Sequence, residues 1–291
     1  MRKQTGEKQQ YRNCFFQGNF SFYKYQIKIS NIKRRSLQLI VLNLQFFSKK
    51  QSPMKIKAQI PNLFTMLNLF SGCVALVMVS VSKFDLAFFF VSLGIFFDFF
   101  DGFFARKFNV AGPLGVQLDS LADMVTSGVV PGYVMYTLML QNDVFGPESY
   151  LPYLGFIITL GACYRLANFN IDTRQSDSFI GLPTPANALF FASLPIINEA
   201  FYDDNFSGVI YGKWFLIFLT LLSAYIMNAE IPLFSLKIKN FSFAKYKLQI
   251  FFLVVSVLLL LFLNIVAVPL IILLYVLLSV LDNYLHITHK A

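Results

Sequence analysis

The chain has 291 residues, 56% hydrophobic and 17% aromatic, with only 13% charged. A water-soluble domain carries about 25% charged residues, so the composition excludes a soluble globular protein and defines a polytopic membrane protein. The net charge of +9 is concentrated in residues 1–61, which contribute +12 from 13 Lys/Arg against Glu7, while the remainder sums to −3; it gives no reason to expect a nucleic-acid partner.

Residues 1–53 are rich in Lys, Gln, Asn, Phe and Ser and have no clear helical or strand period. No apolar stretch followed by a small-residue cleavage site marks a signal peptide. The run SLQLIVLNLQFF after Lys33, Arg34 and Arg35 is too short to span a bilayer. The expectation is a poorly ordered basic extension that belongs to an overextended start. Met54, followed by KIKAQIPNLFTMLNLFSG, is the expected cellular start of a single membrane domain over 54–291. No repeat of 20–50 residues and no Pro/Gly/Ser linker divides that domain.

Eight stretches have about the apolar length that crosses roughly 30 Å of hydrocarbon: 62–81, 85–105, 118–140, 150–168, 184–201, 212–230, 249–267 and 268–285. The predicted fold class is all-α, a membrane helix bundle. The last two stretches are separated by Asn264 to Pro269, which predicts a tight hairpin, with one long bent segment as the competing form. Arg106 and Lys107, then Arg165 and Arg174, then Lys237, Lys239, Lys245 and Lys247 occupy alternate connections. Asp143, Glu148, Glu199, Asp203 and Asp204 occupy the others. The positive-inside rule places both termini, and the segment around Arg106, on the cytoplasmic side. Cys14, Cys73 and Cys163 have neither paired nor metal-ligand spacing.

Four carboxylates stand out against this apolar background. Asp98 and Asp101 are spaced i, i+3, and Asp119 and Asp123 are spaced i, i+4; on helices each pair shares a face. Between the pairs lie Asn109, Gly112, Pro113 and Gly115, which are turn signals. The second helix should end near Phe108 and the third begin near Leu114, so that two antiparallel helices present the acids to one another. Acids at membrane depth are costly unless compensated. An all-oxygen set without His or Cys selects Mg²⁺, Mn²⁺ or Ca²⁺, and such ions in enzymes commonly serve phosphate groups. Gly102 allows close backbone approach, and Arg106, one turn further, offers a guanidinium fork. Ala105 and Gly115 leave room for a nucleotide. A divalent-cation transporter is the rival class, but Arg106 beside the acids opposes cation passage and no transporter-type repeat is visible.

The spacing D-x2-D-G-x2-A-R-x8-G-x3-D-x3-D, running from Asp98 to Asp123, resembles the signature of the CDP-alcohol phosphatidyltransferases at all eight defined positions. The resemblance implies that Asp98, Asp101, Asp119 and Asp123 bind Mg²⁺ or Mn²⁺, with Asp119 and Asp123 catalytic and Asp123 the general base. It implies that Gly102, Ala105, Arg106 and Gly115 line the nucleotide and diphosphate pocket. IPNLFTMLNLFSG (60–72), RLANFNIDTRQSDSFIGLPTPANA (165–188) and EIPLFSLKIKN (230–240) are similar to integral-membrane phosphatidylserine synthases of bacteria and archaea. One departure is Asn168, where many relatives have a basic residue. The implied reaction joins CDP-diacylglycerol and L-serine in a prokaryotic cytoplasmic membrane, with membrane lipids around the enzyme and a homodimer as the expected assembly. Glycerol 3-phosphate or an inositol phosphate is the alternative acceptor. Asn62 and Thr65 are expected near the nucleotide. Arg165, Asn170, Arg174 and Thr184 are expected near the acceptor or the lipid phosphate.

Overall fold

The computed structural model describes residues 56–141, 149–172, 179–200, 212–234 and 247–285. The expected extension over 1–53 and the acceptor candidate Arg174 lie outside these residues. Helix α1 (Ile56–Ser80) is followed by α2 (Phe84–Lys107) and α3 (Pro113–Asp123). A π-helical turn (Met124–Val129) joins α3 directly to α4 (Val130–Gln141). A 3₁₀ turn (Leu151–Phe156) leads into α5 (Ile157–Ile171). Helices α6 (Thr184–Ala200), α7 (Lys213–Asn228), α8 (Lys247–Leu263) and α9 (Ala267–Leu285) complete the bundle. Two-residue strands β1 (Phe179–Ile180) and β2 (Pro232–Leu233) pair antiparallel. They are too short to give the alternating pattern by which strands are recognised.

The helix ends are chemically specified. At the end of α1, Lys83 N–H reaches Met78 O at 2.9 Å and Ser82 N–H reaches Val79 O at 3.0 Å, with Ser82 at φ 54°. At the end of α2, Val110 N–H reaches Ala105 O at 3.0 Å and Asn109 N–H reaches Arg106 O at 3.1 Å, with Asn109 at φ 51°. Both are Schellman closures, in which a left-handed residue lets the chain satisfy carbonyls that the helix leaves open. Asn tolerates that conformation better than most side chains. Pro113 then opens α3 at its first position, where its missing N–H costs nothing. The predicted stop near Phe108 and restart near Leu114 therefore hold.

Among the described residues, four stretches are able by length and composition to cross a membrane: Gln59–Ser80, Phe84–Lys107, Leu151–Ile171 and Leu248–Tyr284. The sequence reading anticipated eight spans. The difference has a geometric cause. Helices α6 and α7 have 17 and 16 residues, only about 25 Å at 1.5 Å per residue. The α3–α4 stretch carries acids and a change of helix type. The last stretch is continuous in hydropathy but not in direction. The rings of Phe252 and Tyr275 stand 5.6 Å apart, whereas a straight helix would separate residues so spaced by about 35 Å. The α8–α9 hairpin therefore forms, turning at the 3₁₀ segment Asn264–Val266 with Asn264 at φ 50°.

The main core draws Ala75 and Val79 from α1, Val91 from α2, Val134, Met135 and Met139 from α4, Ile158 from α5 and Phe191 from α6. Outward faces carry large apolar groups, such as Phe70 at 64% and Phe262 at 80% exposure. An apolar exterior around a packed interior is the arrangement of an integral membrane protein. Helix α1 packs along α2 more extensively than any other pair and also along α3, so it is the shared wall of both acid-bearing helices. Elsewhere, close approach rests on small residues. A Cβ on Gly155 would stand 2.6 Å from Tyr136 N and 3.0 Å from Tyr136 Cα, both backbone atoms. Gly155→Ala is expected to destabilise the protein by about 1–3 kcal/mol, read as a lowered thermal midpoint in detergent; an unchanged midpoint would mean the contact between α4 and the 3₁₀ turn is looser than described.

Candidate functional site

Asp98 projects from α2, and Asp119 and Asp123 project from α3. Each supplies an oxygen to a group whose members all lie within 4.8 Å of one another. Three carboxylates this close repel one another unless a cation or protons intervene. Asp119 Oδ1 is buried and has no hydrogen-bond partner. An acceptor-only donor set with an orphaned buried oxygen fits a hard divalent cation, and Asp98, Asp119 and Asp123 are the residues that would hold it.

Asp101 is arranged differently. It is 6% exposed, and its Oδ2 accepts a 2.7 Å hydrogen bond from Thr65 Oγ1 on α1. The closest group is thus three acids, with the fourth tied to α1. Thr65, expected near the nucleotide, reaches the site through Asp101. Asn62, also on α1, places its Oδ1 beside Gly115: a Cβ built on that glycine would meet it at 3.9 Å. Arg106 is exposed, and its guanidinium folds back over Gly102, where a Cβ would meet Nη1 at 3.4 Å. The small residue therefore makes room for the arginine of its own helix. Ala105 is half-buried, and its carbonyl closes the α2 terminus.

The sequence reading missed Asn68. It is fully buried on α1 and donates from Nδ2 to Asp123 Oδ1 at 3.0 Å. A signal existed: Asn62, Thr65, Asn68 and Gly72 mark one polar or small stripe at helical spacing along an otherwise apolar helix. The π turn immediately after Asp123 was also unforeseen. Such turns are rare and often occur at functional sites. Here Thr126, Ser127 and Gly128 are buried within it.

The acceptor candidates divide. Asn170 donates from Nδ2 to Ser120 Oγ at 2.8 Å, an exposed contact that ties the end of α5 to α3. Thr184 is 3% exposed in the first turn of α6. Arg165, 8% exposed, donates to the carbonyls of Ile180 at 2.9 Å, Gly181 at 3.1 Å and Met227. It fastens α5 to the β1 segment and to the end of α7. Gly181 sits in the left-handed region at φ 72°, and a Cβ there would stand 2.5 Å from Met227 O and 2.8 Å from Arg165 Nη1, so glycine is required.

A family model described as CDP-alcohol phosphatidyltransferase matches residues 58–225, which include every acid of the site and both helices that carry them. This chain belongs to the CDP-alcohol phosphatidyltransferase family. Among its relatives is the CDP-diacylglycerol–serine O-phosphatidyltransferase of Helicobacter pylori, 33% identical over 206 residues that cover 69% of this chain and 81% of that protein. The protein of the same name from Bacillus subtilis is 36% identical over 130 residues, covering 43% of this chain and 69% of the relative. The archaetidylserine synthase of Methanothermobacter thermautotrophicus is 30% identical over 152 residues, covering 50% of this chain and 60% of the relative.

Proposed function

We propose that this protein transfers the phosphatidyl group of CDP-diacylglycerol to L-serine, giving phosphatidylserine and CMP. The observation that carries the reading is the convergence of Asp98, Asp119 and Asp123 from two helices onto one point. The names of the relatives from Helicobacter pylori and Bacillus subtilis support serine as the acceptor.

A bound Mg²⁺ or Mn²⁺ would supply Lewis-acid stabilisation of the diphosphate charge. The chain's own residues supply the rest. Asp123 takes the proton of the serine hydroxyl, which is a poor nucleophile while protonated. The hydroxyl oxygen forms a bond to the phosphatidyl phosphorus, and the bond from that phosphorus to the CMP oxygen breaks. Arg106, exposed beside Gly102, pairs with the donor diphosphate. Asn62 and Gly115 border the nucleotide. Asn170 and Thr184 are assigned to the acceptor side. Eight passes through a prokaryotic cytoplasmic membrane, with both termini and the site on the cytoplasmic side, agree with the alternation of loop charge. Within this reading the enzyme works as a homodimer.

The test is CMP release by the purified protein from CDP-diacylglycerol. Release is expected only with both L-serine and a divalent ion, to vanish in excess EDTA, and to return with Mn²⁺ or Mg²⁺. Release that ignores serine but responds to glycerol 3-phosphate or an inositol phosphate would retain the metal site and discard the acceptor.

A further inference from the structure

Asn68 presents an imbalance. Its Nδ2 donates to Asp123 Oδ1 at 3.0 Å, while its Oδ1 is buried with no partner. A buried amide with an orphaned acceptor is a net cost compared with an apolar residue of the same size. Turning the amide over would not relieve it, because the oxygen would then face the Asp123 carboxylate, which has no proton to donate when ionised. The Nδ2 contact is therefore what the residue provides.

The seat around Asn68 is built to hold that orientation. Thr126 Oγ1, from the π turn that follows Asp123, donates to the main-chain carbonyl of Asn68 at 3.1 Å and fixes the backbone from which the side chain projects. A Cβ on Gly94 of α2 would stand 2.9 Å from Asn68 Oδ1 and 2.7 Å from Thr126 Cγ2. A Cβ on Gly72 of α1 would stand 2.3 Å from Thr126 Oγ1 and 3.0 Å from Thr126 Cα. Any side chain at either glycine displaces Thr126, and one at Gly94 also displaces the Asn68 amide. Gly94 thus leaves room for the Asn68 amide, Thr126 holds its backbone and Gly72 leaves room for Thr126, and the amide touches Asp123.

We propose that Asn68 is the positioning residue for Asp123, pinning one carboxylate oxygen so that the other is aimed at the Asp98–Asp119 group and the acceptor hydroxyl, with Gly72, Gly94 and Thr126 as its seat. The inference rests on the reading of Asp123 as the base. A carboxylate turns readily about its terminal torsion, and a reacting group held out of alignment loses rate even when all partners are bound. Asn68 acts through Asp123 and touches no reacting atom.

The experiment uses the full-length protein in mixed micelles. Asn68→Ala is expected to lower kcat by about 10- to 100-fold, with the KM values for L-serine and CDP-diacylglycerol within about twofold of the parent's. Gly94→Ala removes no polar group, yet it should lower kcat in the same way, by about tenfold, by displacing the amide. Mn²⁺ affinity without substrate, followed by electron paramagnetic resonance, should weaken by about tenfold in Asn68→Ala. Unchanged kcat in both variants overturns the proposal, as does a rise in KM alone, which would place Asn68 against substrate. If Asn68→Ala does not fold, Gly94→Ala decides by the same two criteria. If the parent shows no serine-dependent release, the proposed function fails, and the Mn²⁺ measurement still tests the contact with Asp123.

Discussion

Asp123→Asn is expected to reduce serine-dependent CMP release by about a thousandfold, the scale on which a positioned general base contributes. The substitution is close to isosteric, and its amide oxygen still accepts from Asn68 Nδ2, so the helix and the contact at 3.0 Å are preserved. What is lost is the negative charge and the capacity to take a proton. The measurement is initial rate at saturating donor, serine and Mn²⁺, normalised to protein recovered in detergent, with a thermal melt as the control for folding. Asp119→Asn should produce a comparable loss by a different route: it removes charge from the group of three without touching the base. A rate within tenfold of the parent for Asp123→Asn would remove this residue from the chemistry.

Arg165→Ala should have the largest effect on stability. Its guanidinium serves three backbone carbonyls, of Ile180, Gly181 and Met227, from a site 8% exposed. Hydrogen bonds from a charged donor are worth more than neutral ones, and stranding the acceptors adds to the loss. The expected cost is on the order of 3 kcal/mol, seen as a fall in thermal midpoint. Arg165→Lys should recover only part of it, because an ammonium is a compact point charge without the spread of a planar fork. If instead the midpoint is unchanged and the KM for serine rises, Arg165 belongs to the acceptor pocket and its carbonyl contacts are incidental.

The sequence made the acids legible because their cost in an apolar chain is high and their spacing is fixed. Asn109, Gly112 and Pro113 made the α2–α3 break legible for a similarly local reason: left-handed closure and proline entry are chemical properties of single residues. Asn68 was not read because a single asparagine in an apolar helix is usually a satisfied packing residue, and its partner lies 55 positions away. Arg165 was read by its charge and its place at a helix end, which suggested an anion. Its partners are main-chain carbonyls brought together by folding, and no side-chain pattern announces those. The helical membrane class was legible from hydropathy, whereas the lengths of α6 and α7 were not, since residues that make a helix apolar do not fix how long it runs before a turn.

The π turn at Met124–Val129 has a consequence for how the helix through the site is phased. A wider turn takes in an extra residue, and one residue is about 100° of rotation in an α-helix. The stripe that carries Asp119 and Asp123 and the stripe that carries Val134, Met135 and Met139 into the core are therefore set independently. In an uninterrupted helix, rotating one face to improve the bundle's packing would rotate the acids out of line with Asp98. The wide turn uncouples the two requirements, so the packed half can change while the acids keep their aim.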